Sequence, residues 1–257
     1  MPPGVTRPLA FGSTVILMSE GTPDTPVDIV LLAGLWLPSS IWDDVVRELF
    51  TLGHHPVAVD LPGVDDGDAA ATLDDQLSAA LAAVDAAERP LVVGHSAASA
   101  LAWLAADRRP EALRGVVMIG GFPQSSGVAY ADMFPLVEGV MAFPGWEPFA
   151  GPDSDDLDAD ARQRIEAVAV PVPGGVASGT VDLRDEARFS VPITLVCPEF
   201  DPDDARAWIA DGDLPELELA HVRFVDIESG HWPMVTRPAE LARILASIAS
   251  DAETEPA

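Results

Sequence analysis

The chain contains no lysine and only one cysteine, Cys197, among its 257 residues. A single cysteine cannot form an intramolecular disulfide, and a thiolate metal cluster is also excluded. Lysine and arginine together number 14 against 42 aspartates and glutamates, which gives a formal net charge of −28. A surface this acidic repels the phosphates of nucleic acids and the headgroups of anionic lipids. We therefore expect neither nucleic acid nor a membrane as a partner.

Long hydrophobic segments are missing as well. The apolar stretch at residues 15–18 is too short to span a bilayer, and it lacks the basic flank and cleavage site of a secretory signal. We therefore expect a cytoplasmic protein. Hydrophobic residues make up 48% and charged residues 22% of the chain, a composition that supports a buried core and excludes a disordered chain. The length fits one α/β unit, as a monomer or a homodimer.

Short apolar runs alternate with amphipathic segments along most of the chain. Continuous apolar runs predict strands at residues 28–32, 55–60, 90–94, 113–119, 191–197 and 222–227, with a short edge strand at 14–18. Helical spacing predicts helices at residues 40–50, 72–87, 96–107, from 203 onward, and 238–248, with a disordered tail at 251–257. This alternation indicates an α/β fold with a mostly parallel twisted sheet and helices on both faces.

The alternation stops in the middle of the chain. Residues 122–190 are rich in proline and glycine and carry five aspartates between Asp153 and Asp160, which we interpret as a solvated loop rather than a cation site. We predict that residues 122–190 form an inserted helical cap, or lid. The two parts of the α/β core would then be residues 1–121 and 191–257.

A serine between small residues stands where a predicted strand meets a predicted helix. The sequence Gly-His-Ser-Ala-Ala at residues 94–98 places Ser96 at this junction. A serine on a sharp strand-to-helix turn exposes its hydroxyl, and its neighbours two positions away must be small because chain segments cross closely there. The N–H groups that begin the helix also favour negative charge near the hydroxyl. Alone the motif is a weak signal, because serine at a helix N-terminus is also a common structural feature.

Several further motifs accompany the serine, and together they make the chain resemble the α/β-hydrolase superfamily over nearly its whole length. The similar segments are the oxyanion strand and loop at 28–42, the Asp-x-Pro-Gly turn at 58–63, the nucleophile elbow at 94–98, the acid-bearing strand at 191–201, and the histidine loop at 229–238. The resemblance implies the α/β-hydrolase fold. It also implies a catalytic triad in the chain order nucleophile, acid, histidine.

The resemblance assigns this triad to Ser96, Asp201 and His231. Ser96 would be the nucleophile, His231 would take its proton and later deliver one to the leaving group, and Asp201 would orient the imidazole. Nearby carboxylates compete for the acid position, namely Glu199, Asp203 and Asp204. Asp201 fits the family spacing best, and it could otherwise be a helix-capping residue.

The resemblance also implies an oxyanion hole built from backbone N–H groups. Ala97 and Leu35 are expected to supply these groups, with Trp36 as a second possibility for the latter. Two positions depart from the family pattern. Ala-Gly stands at residues 33–34 where the family usually has His-Gly, and Ala98 replaces the second glycine of the elbow.

Other candidate reactive side chains have structural interpretations. His95 beside the serine is expected to point away and pack, and Cys197 in a predicted buried strand is expected to be inert. No group of residues has metal-ligand spacing. We predict neither a metal nor a cofactor.

The predicted insertion supplies many large apolar side chains, some of which must form its own small core. We predict a substrate pocket lined by Trp36, Met133, Phe134, Met141, Phe143, Trp146 and Trp232. This inventory favours an apolar or aromatic small-molecule substrate of modest size. A strongly anionic substrate is disfavoured, because no basic cluster occurs in the segment.

The leading hypothesis is a serine hydrolase that cleaves a carboxylic ester or lactone through an acyl-enzyme on Ser96. One alternative keeps the triad for another reaction of the superfamily, such as carbon–carbon bond hydrolysis, hydroxynitrile lysis or perhydrolysis. Another is a receptor that binds a ligand without turnover. Haloalkane dehalogenase and epoxide hydrolase chemistry is disfavoured, because those relatives use an aspartate at the position of Ser96.

Overall fold

The computed structural model of the protein describes residues 25–251, and a six-stranded sheet lies at their centre. Its strands are β1 (Asp28–Leu32), β2 (His55–Ala58), β3 (Leu91–His95), β4 (Gly115–Ile119), β7 (Ile193–Cys197) and β8 (Val222–Asp226). Their order in the sheet is β2-β1-β3-β4-β7-β8, and every neighbouring pair is parallel. The predicted edge strand at 14–18 lies outside the described residues. So does the tail predicted at 251–257, except for Asp251, which is the last residue of α8.

Helices cover both faces of this sheet. They are α1 (Asp43–Thr51), α2 (Leu73–Asp85), α3 (Ala98–Arg108), α4 (Ala159–Val168), α5 (Gly174–Ala177), α6 (Pro202–Ala210), α7 (Pro233–Thr236) and α8 (Pro238–Asp251). Short 3₁₀ turns lie at Ser39–Trp42, Glu147–Phe149, Glu186–Ser190 and Pro215–Leu217. None of the helices within residues 25–251 has the length and apolar character needed to cross a membrane.

Successive residues of β1, β3 and β4 belong to different apolar clusters, because strand side chains alternate between the two faces of a sheet. On one face Val30 packs in a cluster with residues of α2 and α3, such as Leu77 and Leu101. On the other face Leu31 packs with residues of α1 and α8, such as Leu49. This arrangement confirms the prediction of a mostly parallel sheet with helices on both faces.

The residues between β4 and β7 do not join the large sheet. The short strands β5 (Val140–Met141) and β6 (Val172–Pro173) pair with each other in antiparallel orientation. Leu157 and, from α4, Ala161 and Ile165 belong to the same apolar cluster as α1 and α8. This segment is therefore packed against the α/β core as well as against itself.

The carboxyl ends of the parallel strands position the candidate site. Loops that follow β1, β3, β4, β7 and β8 leave the sheet at the same edge, because parallel strands all point the same way. These loops carry residues 33–37, 96–97, 120–121, 198–201 and 227–232. Side chains from distant parts of the sequence meet there.

Candidate active site

Ser96 occupies a strained turn between the end of β3 and the start of α3. Its φ of 54° lies in the left-handed region that non-glycine residues seldom adopt. Two positions close to Ser96 in space must be glycine. A Cβ added to Gly94 would lie 2.2 Å from the Ala98 carbonyl oxygen, and one added to Gly121 would lie 2.2 Å from the Ser96 carbonyl oxygen. The Ser96 N–H is held by the carbonyl of Ile119 at 2.8 Å. This close packing fixes the direction of the serine side chain.

The loop after β1 approaches the same serine. A Cβ added to Gly34 would lie 3.1 Å from Ser96 Cβ and 2.8 Å from His95 Nδ1, so this position also requires glycine. Within residues 25–251, the backbone N–H groups of Leu35 and Ala97 donate to no other residue. Leu35 also lines the cavity that contains Ser96. The N–H groups predicted for the oxyanion hole thus lie on loops beside the serine and are not used elsewhere in the described fold.

His231 is paired with Glu199, which follows β7. His231 Nδ1 lies 2.7 Å from Glu199 Oε1, and the two side chains are only 12% and 14% exposed. Gly120 makes room for the pair, because a Cβ at that position would lie 3.0 Å from His231 Nδ1 and 3.1 Å from Glu199 Oε2. With Nδ1 engaged by the carboxylate, Nε2 is the ring nitrogen left to accept a proton from a nucleophile.

The prediction that Asp201 is the partner of His231 is wrong. Asp201 is exposed and is the N-cap of α6, where its carboxylate accepts the N–H groups of Asp203 at 2.8 Å and Asp204 at 3.2 Å. Pro202 at the first helical position fits the same helix start. The carboxylate of Asp201 is therefore committed to the helix, and Glu199, two residues earlier, reaches the imidazole instead.

His95 does more than pack beside the serine. Its Nε2 lies 2.7 Å from the carbonyl oxygen of His231, and the two rings are 4.9 Å apart between centroids. Burial, and then the charge of His231, lowers the pKa of His95 to about 3. The ring is consequently neutral at neutral pH, and Nε2–H donates to the His231 carbonyl. This bond links the serine strand to the histidine loop.

A cavity open to solvent is lined by both Ser96 and His231. The other lining residues are Leu35, Trp36, Leu37, His95, Phe143, Phe149, Ile165 and Trp232. Apart from the two histidines, none of these lining side chains carries an ionisable group. The cavity is therefore an apolar, largely aromatic space with a hydroxyl and an imidazole on its wall.

The residues predicted to line the pocket fall into two groups. Trp36, Phe143 and Trp232 line the cavity. The remaining four do not: Phe134 packs on Trp36 at 5.6 Å, Trp146 packs on Trp232 at 5.3 Å, Met141 is fully buried, and Met133 is 54% exposed. The carbonyl of Met141 accepts a hydrogen bond from Trp36 Nε1 at 3.1 Å. These four support the cavity wall or lie outside it.

Sequence reasoning did not assign Leu37, Phe149, Ile165 or Glu199 to the site. Phe149 had a sequence signal as one of the large apolar residues of the insertion, and Ile165 lies on the apolar face of α4. The sequence signal for Glu199 was the position of its carboxylate just after a predicted buried strand. Within residues 25–251, no group of three or more His, Cys, Asp or Glu side chains is arranged to hold a metal ion.

Comparison with known proteins identifies the family. The sequence model of the alpha/beta hydrolase family matches residues 29–244. No curated protein matches the chain by sequence.

Solved structures with similar folds include three related enzymes. One is an extracellular alpha/beta-hydrolase from a Paenibacillus species, which is described as sharing structural and functional homology with tobacco salicylic acid binding protein 2. Its TM-score is 0.72 at 18% sequence identity, and the match covers 87% of this chain and 99% of the other chain. A pyrethroid hydrolase from Sphingobium faniae JZ-2 has a TM-score of 0.67 at 18% identity, covering 88% of this chain and 98% of its own. A mutant polyneuridine aldehyde esterase has a TM-score of 0.67 at 17% identity, covering 87% and 99%. At these identities the likeness is one of fold, and the family match over most of the chain shows that this protein belongs to the alpha/beta hydrolase family.

Proposed function

We propose that this protein is a cofactor-independent serine hydrolase that cleaves a carboxylic ester or lactone of a small to medium apolar substrate. The observation that carries the proposal is the convergence of a strained serine, Ser96, and a carboxylate-paired histidine, His231, on one apolar cavity. A serine hydroxyl needs an adjacent base to act as a nucleophile, and the base needs a third group to orient it. Glu199 supplies that third group.

In the acylation half of the reaction, Ser96 Oγ attacks the carbonyl carbon of the substrate while its proton passes to His231 Nε2. The tetrahedral oxyanion accepts hydrogen bonds from the N–H groups of Leu35 and Ala97. The carboxylate of Glu199 stabilises the imidazolium that forms. The intermediate collapses, the bond to the alkoxy oxygen breaks, and that oxygen takes the proton from His231 as the alcohol leaves.

Deacylation repeats these steps with water as the nucleophile. His231 Nε2 takes a proton from a water molecule, whose oxygen attacks the acyl carbon bound to Ser96. The same two N–H groups stabilise the second oxyanion. Its collapse breaks the bond to Ser96 Oγ, which recovers the proton from His231, and the carboxylic acid leaves. With a lactone substrate the acid and alcohol leave as one hydroxy acid.

The walls of the cavity favour an uncharged apolar substrate. Trp36, Phe143, Phe149 and Trp232 form much of the lining, and the lining contains no arginine. The formal net charge of −28 further disfavours an anionic substrate, because like charges repel at the approach to the site. The three structural neighbours described above are all named as hydrolases or esterases, which is consistent with this chemistry.

The test compares hydrolysis of short-chain p-nitrophenyl esters by the wild type and by Ser96→Ala. We expect kcat/KM to fall by at least about a thousandfold in Ser96→Ala, because the nucleophile is lost. Ser78→Ala, at an exposed position on α2, is the matched control and should retain wild-type activity. Equal activity in wild type and Ser96→Ala would refute the serine mechanism.

A fluorophosphonate probe gives a second readout. Mass spectrometry of the labelled wild type should place the modification on the peptide that contains Ser96, and modification elsewhere would overturn the assignment. Labelling at Ser96 without turnover of any ester or lactone would instead indicate another reaction of the same triad. Neither labelling nor turnover, together with tight ligand binding, would favour a receptor.

A further inference from the structure

The loop that carries His231 is held by a turn of the inserted segment. This turn, residues 151–157, is called the aspartate turn below. The N–H of His231 donates to the carbonyl of Asp153 at 2.8 Å. One residue earlier, the N–H of Gly230 donates to Asp156 Oδ2 at 2.8 Å, and the hydroxyl of Ser229 lies 3.2 Å from the same oxygen. Three consecutive residues of the histidine loop are therefore bonded to the aspartate turn.

The contact between the two segments leaves no free space. A Cβ added to Gly230 would lie 2.4 Å from the Asp153 carbonyl oxygen and 2.4 Å from Asp156 Oδ1. Any larger residue at position 230 would separate the loop from the turn. The hydroxyl of Ser229 is further fixed by Thr236 Oγ1 at 2.9 Å, which ties the same loop to α7.

The aspartate turn is itself well supported, so it can act as a fixed anchor. The N–H groups of Ser154 and Asp155 both donate to the carbonyl of Gly151, at 3.0 and 2.9 Å. Arg162, on α4, donates from Nη2 to the carbonyl of Ser154 at 2.7 Å, and its guanidinium lies 5.3 Å from the ring centroid of Trp146. Ser154 is fully buried. These contacts fix the turn to α4, which packs against the α/β core.

We propose that Asp156 is a positioning residue for His231, through which the inserted segment sets the place of the imidazole opposite Ser96. The inference rests on the proposed function. Asp156 carries a formal negative charge and accepts an N–H from the residue directly before His231, and hydrogen bonds to an ionised acceptor are stronger than neutral ones. The His95 bond to the His231 carbonyl restrains the loop from the opposite side. Without Asp156 the loop keeps the bond from the His231 N–H to the Asp153 carbonyl and the His95 bond, but it loses the restraint on Gly230, the residue before His231.

Only one of two adjacent aspartates makes these contacts, which gives a matched pair of variants. Both residues are exposed, but the side chain of Asp155 hydrogen-bonds to no other residue within 25–251, whereas that of Asp156 accepts from Gly230 and Ser229. Asp155→Ala and Asp156→Ala remove the same charge from the same turn. Asp156→Asn keeps an oxygen acceptor and removes only the charge.

The first experiment measures ester hydrolysis and the rate of fluorophosphonate labelling for these variants. For Asp156→Ala we expect kcat to fall about 10- to 100-fold with KM within about twofold, because a misplaced base slows the chemical step and leaves the aromatic cavity intact. The labelling rate should fall in parallel. Asp156→Asn should recover most of the loss, and Asp155→Ala should match the wild type. Equal kcat and labelling rates in Asp155→Ala and Asp156→Ala would overturn the inference.

A second readout does not depend on turnover. The proton on Nδ1 of His231, held by Glu199, should give a downfield proton NMR signal that is lost in His231→Gln. In Asp156→Ala this signal should broaden by faster exchange with water, and in Asp155→Ala it should not. An unchanged signal in Asp156→Ala would refute the positioning role even if no substrate is found. A wild type that neither hydrolyses esters nor reacts with the probe would refute the proposed function, while the NMR comparison would still decide the role of Asp156.

Discussion

Replacing Glu199 by glutamine tests which carboxylate serves the candidate base. Glu199→Gln keeps the size of the side chain and removes the charge that faces His231. Two unit charges 2.7 Å apart attract by about 6 kcal/mol at an effective dielectric constant of about 20. Part of this attraction is offset by removing both groups from water, so we take about 4 kcal/mol as the loss of transition-state stabilisation. At 1.36 kcal/mol for each factor of ten, kcat/KM should fall by about a thousandfold.

Asp201→Asn is the matched control for this variant. Asparagine is as good an N-cap as aspartate, so the start of α6 should remain intact while the negative charge is removed. We expect kcat/KM within about threefold of the wild type. Asp201→Ala should lower the free energy of unfolding by about 1 kcal/mol through loss of the cap, with little effect on catalysis.

The assay is p-nitrophenyl ester hydrolysis together with urea unfolding of each variant. Unfolding shows whether Glu199→Gln is folded before its rate is interpreted, because the glutamine NH2 group would take the place of Glu199 Oε2, which is buried and makes no hydrogen bond within residues 25–251. A thousandfold loss in Asp201→Asn with near-normal activity in Glu199→Gln would refute the reasoning. It would mean that the carboxylate of Asp201 leaves the helix and reaches His231 during the reaction.

Two further predictions concern His95 and Phe143. The pKa of His95 is about 3 in the folded protein and about 6.5 in the unfolded chain, so protonation of the unfolded chain destabilises the fold as pH falls below about 6.5. Between pH 7 and pH 5 the free energy of unfolding measured in urea should therefore drop by about 2 kcal/mol more in the wild type than in His95→Gln. Equal drops in the two proteins would contradict the buried neutral ring. Phe143→Ala should enlarge the cavity beside Trp36, so the ratio of kcat/KM for octanoate over butyrate p-nitrophenyl esters should rise about tenfold. Exposed Met133 lies outside the cavity, and Met133→Ala should leave that ratio unchanged; a rise in both variants would argue against the cavity as the acyl site.

The sheet could be predicted from the sequence because its strands are buried on both faces. The apolar runs at β1, β3 and β7 have no alternation and end at glycine or turn residues, and the observed strands lie within the predicted ranges apart from a one-residue extension of β3 to His95. The helix predicted from Ser96 begins instead at Ala98, because Ser96 and Ala97 form the turn that aims the serine. The hydrophobic periodicity predicts that a helix is present here. It does not predict the first residue of the helix, which depends on the close contacts that neighbouring chain segments make with Ser96.

The sequence around Asp201 contained a local signal against Asp201 as the partner of His231, but the family spacing was given more weight. Asp followed by Pro and two further acidic residues is a strong helix start, with the aspartate as N-cap and proline at the first helical position. In the structure the carboxylate of Asp201 accepts N–H groups at the start of α6, while the imidazole of His231 is paired with Glu199. The sequence therefore contained a reason to prefer Glu199, and only the position of His231, supplied by a loop 32 residues further along, turns that preference into a contact.

The pocket residues were harder to predict, because composition does not say which side of the insertion an aromatic ring faces. Phe143 and Trp146 are three residues apart and touch at 5.3 Å, yet Phe143 lines the cavity and Trp146 stands behind it against Trp232. Two residues of α4 contact Trp146: Arg162 lies over its ring, and Glu166 accepts a hydrogen bond from its Nε1. Which of the two rings lines the cavity depends on tertiary packing with α4, and this packing leaves no periodic pattern in the sequence.

The same packing changes the interpretation of the acidic stretch in the insertion. From sequence its aspartates are predicted to form a solvated loop, and Asp155, Asp156 and Asp158 are exposed. Some of these residues nevertheless make specific contacts: Asp156 bonds the histidine loop, Asp158 caps α4 through the N–H of Ala161, and the carbonyl of Asp153 accepts the N–H of His231. Burial, and then the nearby charge of Glu199, raises the pKa of the Asp153 carboxyl. Because residues 153 and 156 are bonded to the histidine loop, this segment cannot swing away without disturbing His231. We therefore expect substrate to enter by local movement of the aromatic wall rather than by displacement of the whole segment.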